Sequence, residues 1–178
     1  MRLVGIAGRM YSGKTTVGNH LEANYNFIKT AFAEPLKQML IKAGMCSAEE
    51  VYGIKTPTSR WLMQKVGTEI FRKQVDPLFW VNKTEDEIMR LHGEYKRPIV
   101  VDDIRFPEEA ARIKHLGGIV IKLERVWNES ETQPDQTHES EKHVDSLSAD
   151  YTITCSSGQT SELVNRFENT LRVCGFMR

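Results

Sequence analysis

A glycine-rich octapeptide near the N-terminus constrains this chain more than any other stretch. Gly8-Arg9-Met10-Tyr11-Ser12-Gly13-Lys14-Thr15 fits the phosphate-binding pattern G-x-x-x-x-G-K-[ST]. The apolar run Leu3 to Ala7 precedes it, and a helix-like stretch from Thr15 to Tyr25 follows. Such a loop works only between a strand and a helix. The glycines let the backbone aim its N–H groups at phosphate oxygens, and the helix adds its positive end. Lys14 is expected on the β- and γ-phosphates and the Thr15 hydroxyl on Mg²⁺. Gly8, Met10, Tyr11, Ser12, Gly13 and Thr16 complete the expected nucleotide contact.

A chain of 178 residues is long enough for one domain with a sizeable core. Its formal net charge of +0 gives no global field favouring nucleic acid or an anionic membrane. No apolar run approaches the ~20 residues that span a bilayer. The start of the chain runs straight into strand 1, so no leader is expected. The cysteines, at 46, 155 and 174, are scattered and form neither a disulfide framework nor a zinc signature. A reducing, cytoplasmic setting fits this usage.

Strands are expected at 3–7, 27–33, 98–102, 119–123 and 151–154, alternating with helical patterns. The alternation predicts an α/β fold, a parallel sheet of about five strands with helices on both faces. Between strands 2 and 3 lies a stretch with no strand pattern. Pro35 suits the first turn of a helix, Ser47 and Glu50 read as a capping box, and a helix is expected over 58–74. Asp76-Pro77 opens a further helix. Residues 126–148 are polar with little apolar periodicity, which reads as a functional lid or a disordered segment.

Asp102 ends the apolar run Ile99-Val100-Val101, at the sheet edge where open α/β folds place ligands. It is expected to orient Mg²⁺ beside Thr15, the alternative being a strand-end acid that caps the next turn. Asp103 and Arg105 alternate along an extended segment and share a face, as substrate contacts or as a pair of their own. Arg60, Gln64 and Gly67 fall on one face of an α-helix, with Arg72 beyond. Their arginines suit phosphate, although the spacing also describes a solvated basic face. Arg125 begins the polar segment, either as a lid arginine reaching the transferring phosphoryl group or as a surface arginine. Ser156-Ser157-Gly158 reads equally as a rest for a flat base or as a plain turn. His138, Glu139, Glu141 and His143 lack a further ligand at metal-site spacing and read as a solvated loop. Asn82-Lys83-Thr84-Glu85 approaches a guanine-reading motif but ends in Glu and precedes strand 3.

Together these stretches resemble the bacteriophage-type deoxynucleoside monophosphate kinases of the P-loop nucleoside monophosphate kinase group. The resemblance rests on residues 8–16, Ala31-Phe32-Ala33-Glu34-Pro35-Leu36-Lys37, Gln64-Lys65-Val66-Gly67-Thr68-Glu69, Arg72, Asp76 to Trp80, 101–110 and 138–141. It implies a P-loop NTPase three-layer sandwich with a helical substrate-binding insertion after strand 2, at 34–97, and a lid after strand 4, at 125–148. It also implies ATP as phosphoryl donor, Mg²⁺ as cofactor and small-molecule nucleotides as partners, with no nucleic acid or membrane. The site of action would be the cytoplasm, that of the host if the chain is phage-encoded. Lys14, Arg105 and Arg125 take the catalytic roles, with Thr15 and Asp102 on the metal. Glu34, Arg60, Trp61, Gln64, Arg72, Asp103 and Arg105 match the substrate side, and Ser157 and Gly158 the adenine side. Glu34 stands where Asp is expected. The lid holds few arginines, so Arg125, Lys142 or a substrate residue such as Arg105 must carry its charge. A homodimer stays open.

The implied activity is transfer of phosphate from ATP to a deoxynucleoside monophosphate. Other small-molecule kinases, of the phosphomevalonate or dephospho-coenzyme A type, are the alternative, and a P-loop ATPase or switch is a more distant one.

Overall fold

The structure is a computed structural model that describes residues 1–128 and 143–177. Five parallel strands form one sheet in the order β2-β3-β1-β4-β5. They are β1 (Leu3–Gly8), β2 (Ile28–Thr30), β3 (Ile99–Ile104), β4 (Ile119–Val126) and β5 (Tyr151–Ser156). β1 is buried along its whole length, as its unbroken apolar run requires of a central parallel strand.

Alternation along β1 sends side chains to two different helical layers. Val4 and Ile6 join Val17 and Leu21 of α1 (Lys14–Tyr25) and Leu163, Phe167 and Leu171 of α7 (Thr160–Val173) in one core. Gly5 faces the other way, where a Cβ would run into Ile104 and come within 3.2 Å of Ile113 on α6 (Pro107–His115). The result is the expected three-layer sandwich. Each fully buried Leu, Ile or Phe contributes about 1.5–3 kcal/mol relative to exposure. The cysteines are free thiols.

The chain divides into two compact units, residues 1–30 with 90–178, and residues 31–89. The second is all-helical and begins a few residues before the expected insertion. It contains α2 (Glu34–Lys42), α3 (Ala48–Tyr52), α4 (Pro57–Gln64), a π-helical stretch (Lys65–Val75) and the first turns of α5 (Phe79–Tyr95). Ser47 and Glu50 form the capping box: the Glu50 N–H donates to Ser47 Oγ at 3.2 Å, and the Ser47 N–H to Glu50 Oε2 at 2.8 Å. Asp76 instead caps a turn ahead of α5, accepting from the Leu78 N–H at 2.8 Å. The core of this unit gathers Leu36, Leu40, Val51 and Trp80, with Phe71 and Phe79 against it.

The single α-helix expected over 58–74 is not what forms. After Gln64 the chain widens to i→i+5 bonding, which ends with the Asp76 N–H on the Phe71 carbonyl at 2.9 Å. The wider turn re-phases every side chain that follows. Gly67 therefore leaves the face of Arg60 and Gln64: it is buried, while they are exposed. A Cβ at Gly67 would come 2.7 Å from Leu36, and its carbonyl accepts the Trp80 indole N–H at 2.8 Å.

Candidate active site

The loop between β1 and α1 has the backbone that its glycines predict. Gly8 and Gly13 sit at φ 153° and 96°, and Tyr11 between them is left-handed at 62°. A Cβ on Gly8 would run into the Ser12 hydroxyl and lie 2.7 Å from the Leu123 carbonyl oxygen. The first helical bond of α1 is Val17 N–H to Gly13 C=O at 3.0 Å, so the N–H groups of Lys14, Thr15 and Thr16 precede the intrahelical ladder. α1 has neither a side-chain N-cap nor an acidic residue in its first turn. Ser12 is 7% exposed, and its hydroxyl has no hydrogen-bond partner. A buried polar atom in that state costs about 1–3 kcal/mol. A helix end left uncapped beside an orphaned hydroxyl fits an anionic ligand. Lys14, 7% exposed, donates from Nζ to the Arg9 carbonyl at 2.6 Å.

Asp102, expected to end its strand, lies within β3, two residues before its end, buried and with its carboxylate against α1. A Cβ on Gly18 would meet Asp102 Oδ2 at 2.9 Å. Gly18 and Thr15 stand i, i+3 on one helix face. The arrangement offers Mg²⁺ one carboxylate and one hydroxyl, which suits an ion that arrives on phosphates and keeps much of its water. No group of three or more His, Cys, Asp or Glu among the described residues could hold a metal independently.

The register of β3 on β1 slips between Gly5↔Val101 and Ala7↔Ile104, so β3 carries one extra residue at Asp102-Asp103. Such a bulge re-aims side chains. Asp102 faces α1, as Val100 two residues before it does, and the extra residue turns Ile104 to the α6 layer. Asp103 and Arg105 are half-buried and alternate with buried Ile104 and Phe106, in keeping with the shared face that the sequence suggests. The Arg105 N–H donates to Glu109 Oε2 at 2.8 Å, which pins the chain there.

Arg125, expected to open the lid, lies in a strand. It belongs to β4, paired in register with Cys155. Its guanidinium lies 4.1 Å over the Trp127 ring, donates to the Tyr11 carbonyl at 3.2 Å and reaches the Ser157 hydroxyl. A side chain stacked and bonded on both flanks is held in place. Gly158 turns the chain into α7 at φ 78°. A cavity of about 310 Å³ runs past the ends of β4 and the loop, with Arg9, Ser12, Lys122, Trp127 and Asp145 in its wall. The expected lid at 125–148 thus begins as strand and ends in a short 3-10 helix, His143–Ser146. His138, Glu139, Glu141 and Lys142 lie outside the described residues.

In the helical unit, Glu34 is half-buried at the start of α2. It accepts from the Tyr52 hydroxyl at 2.5 Å and from Gln38 at 2.9 Å. Burial and the Glu34 carboxylate push the Tyr52 phenol up to about 12. Arg60, Trp61 and Gln64 are exposed on α4, and Arg72 is half-buried on the π-helical stretch. The tryptophan is 59% exposed, unusual for a ring with so much area to bury.

Sequence reasoning missed Lys29, Arg9 with Asp145, and Trp127. Lys29 stands 3.9 Å from Asp102 and bonds Asn19. Trp127, the partner of Arg125, is an aromatic two residues after a candidate arginine, and that proximity was the available signal. Lys29, and the pairing of Arg9 with a residue 136 positions away, carry no local signal.

The sequence model of the deoxynucleotide monophosphate kinase family matches residues 45–166. A protein of Acanthamoeba polyphaga mimivirus, named provisionally a deoxynucleotide monophosphate kinase, is 33% identical over 183 residues, covering 91% of this chain and 91% of its own. Among solved structures, a sugar kinase from Janibacter sp. HTCC2649 aligns over 100% of this chain and 99% of its own, with a TM-score of 0.52 and 14% identity. Shikimate kinase from Aquifex aeolicus aligns over 97% and 98%, with a TM-score of 0.50 and 18% identity. These two likenesses concern the fold.

Proposed function

The chain belongs to the deoxynucleotide monophosphate kinase family and is a phosphotransferase acting on deoxynucleoside monophosphates; we propose that its P-loop unit takes ATP with Mg²⁺ and its helical unit supplies the acceptor contacts. The uncapped start of α1 beside the orphaned Ser12 hydroxyl carries the donor half of this reading. Lys14 and the loop N–H groups hold the donor phosphates. Thr15 and Asp102 hold Mg²⁺, which when bound draws charge from the phosphate oxygens. A phosphate oxygen of the acceptor attacks the γ-phosphorus in line. The bond to the β–γ bridging oxygen breaks, and ADP leaves with that electron pair. The protein's work is positioning and charge neutralisation.

Arg105, with Asp103, serves the acceptor beside the transferring group. Glu34, Arg60, Trp61, Gln64 and Arg72 serve it from the helical unit. The fixed stack of Arg125 on Trp127, tied to Ser157, supports a place for Arg125 on the donor-base side beside Gly158. No helix among the described residues is long and apolar enough to cross a membrane. The enzyme works on small nucleotides, in the cytoplasm. The test is an ADP-release assay across all deoxy- and ribonucleoside monophosphates. Release stimulated by deoxynucleotides is expected, whereas hydrolysis of ATP indifferent to every acceptor overturns the reading.

A further inference from the structure

The loop lysine rests on a carbonyl whose own side chain is held from far along the chain. Lys14 Nζ donates to the Arg9 carbonyl at 2.6 Å, and the Ser12 N–H donates to the same oxygen at 3.2 Å. The Arg9 guanidinium grips both oxygens of Asp145, Nε on Oδ1 at 3.2 Å and Nη2 on Oδ2. This two-point fork fixes orientation as well as distance.

Exposed ion pairs generally stabilise a fold little, and at side-chain exposures of 39% and 63% this one is no exception on burial alone. Its place in the molecule sets it apart. Asp145 sits in the one-turn helix His143–Ser146, which is anchored by Val144 at 1% exposure and followed by buried Leu147. The His143 ring lies 5.4 Å from the ring of Phe106, next to Arg105. One short segment therefore touches the loop that holds the donor and the corner that follows Asp103. The Arg9 guanidinium, with Lys122 nearby, holds the Asp145 carboxyl below the usual carboxylate range.

We propose that Asp145 is a positioning residue for phosphoryl transfer: through its forked contact with Arg9 it fixes the loop carbonyl on which Lys14 rests, and so presets the lysine for the donor phosphates. The proposal rests on the reading of the loop as the ATP site. In this role Asp145 acts through Arg9 and not by a contact of its own with a nucleotide.

A double-mutant cycle tests it, on Asp145→Asn, Arg9→Ala and the pair, with two readouts. By calorimetry with ATP and Mg²⁺, each single variant binds three- to tenfold more weakly and the pair no worse than either single. In turnover, kcat falls by a similar factor, the KM for the acceptor stays put, and Asp145→Glu recovers most of the loss. Thermal midpoints of all variants match the parent. Additive losses, an unchanged ATP affinity, or a loss that follows a lowered midpoint overturns the proposal. Should the parent protein bind ATP and phosphorylate no deoxynucleotide, the acceptor reading fails while the affinity cycle still decides the role of Asp145.

Discussion

Lys14 is nearly buried, and its ammonium donates to the Arg9 carbonyl. A charged phosphate oxygen is a stronger partner for that ammonium than a neutral carbonyl is. Removing it should cost chemistry rather than fold. Lys14→Ala is expected to lower kcat by about 10²-fold or more with an unchanged circular dichroism spectrum. Near-normal turnover in that variant would contradict the assignment. At this scale the sequence was readable wherever the chemistry is local. Gly8, Gly13, Lys14 and Thr15 reveal themselves because one loop conformation demands them in fixed order. Arg125 is harder to read for the converse reason: an arginine before a polar stretch has the same sequence signature whether it stands free or is stacked and bonded. What clamps it, Tyr11 and Ser157, comes from elsewhere in the chain.

At the scale of elements, two contacts carry consequences. The Trp80 indole bonds the Gly67 carbonyl inside the core of the helical unit. Trp80→Phe keeps an aromatic ring but removes the N–H, which strands that carbonyl, and part of the buried indole, so a loss of at least about 1–3 kcal/mol is expected in chemical denaturation. No change would rule out a stabilising role for this bond. The second contact joins α1 to α7, where His20 Nε2 lies 2.7 Å from Glu168 Oε1. Hydrogen bonds from His20 first, then Tyr25 and Arg172, lower the Glu168 pKa. In acid the unfolded chain then takes up the Glu168 proton before the folded chain does. Stability from this group is full above the unfolded glutamate value of about 4.3 and is lost as pH falls through the lower folded value. Glu168→Gln should flatten the acid limb of stability against pH below about 4.3, and an identical limb would rule the group out. The capping box at Ser47 was legible because it spans four residues. The π-helical stretch was not, since i→i+4 and i→i+5 bonding accept the same residues and packing of Gly67 against Leu36 and Trp80 accompanies the choice.

Across the whole molecule, donor residues fall in the P-loop unit, and most acceptor candidates fall in residues 31–89. The two functions should therefore separate on mutation. Arg72→Ala is expected to raise the acceptor KM by about tenfold or more, the loss of a charge-assisted contact, and to leave ATP affinity nearly unchanged. Equal losses for both ligands would remove Arg72 from the acceptor side.

By itself the sequence determined the strand–loop–helix start, the alternation that makes a five-stranded parallel sheet, and the helical insertion. Those follow from periodicity and from residues with narrow backbone or chemical roles, which act over a few positions. Tertiary structure alone decided the bulge that turns Ile104 to the α6 layer after Asp102, the stack that fixes Arg125 on β4, and the grip of Asp145 on Arg9. Each depends on groups brought together by the sheet from distant parts of the chain. No local pattern records such a meeting, because its free energy arises only once the strands are in register.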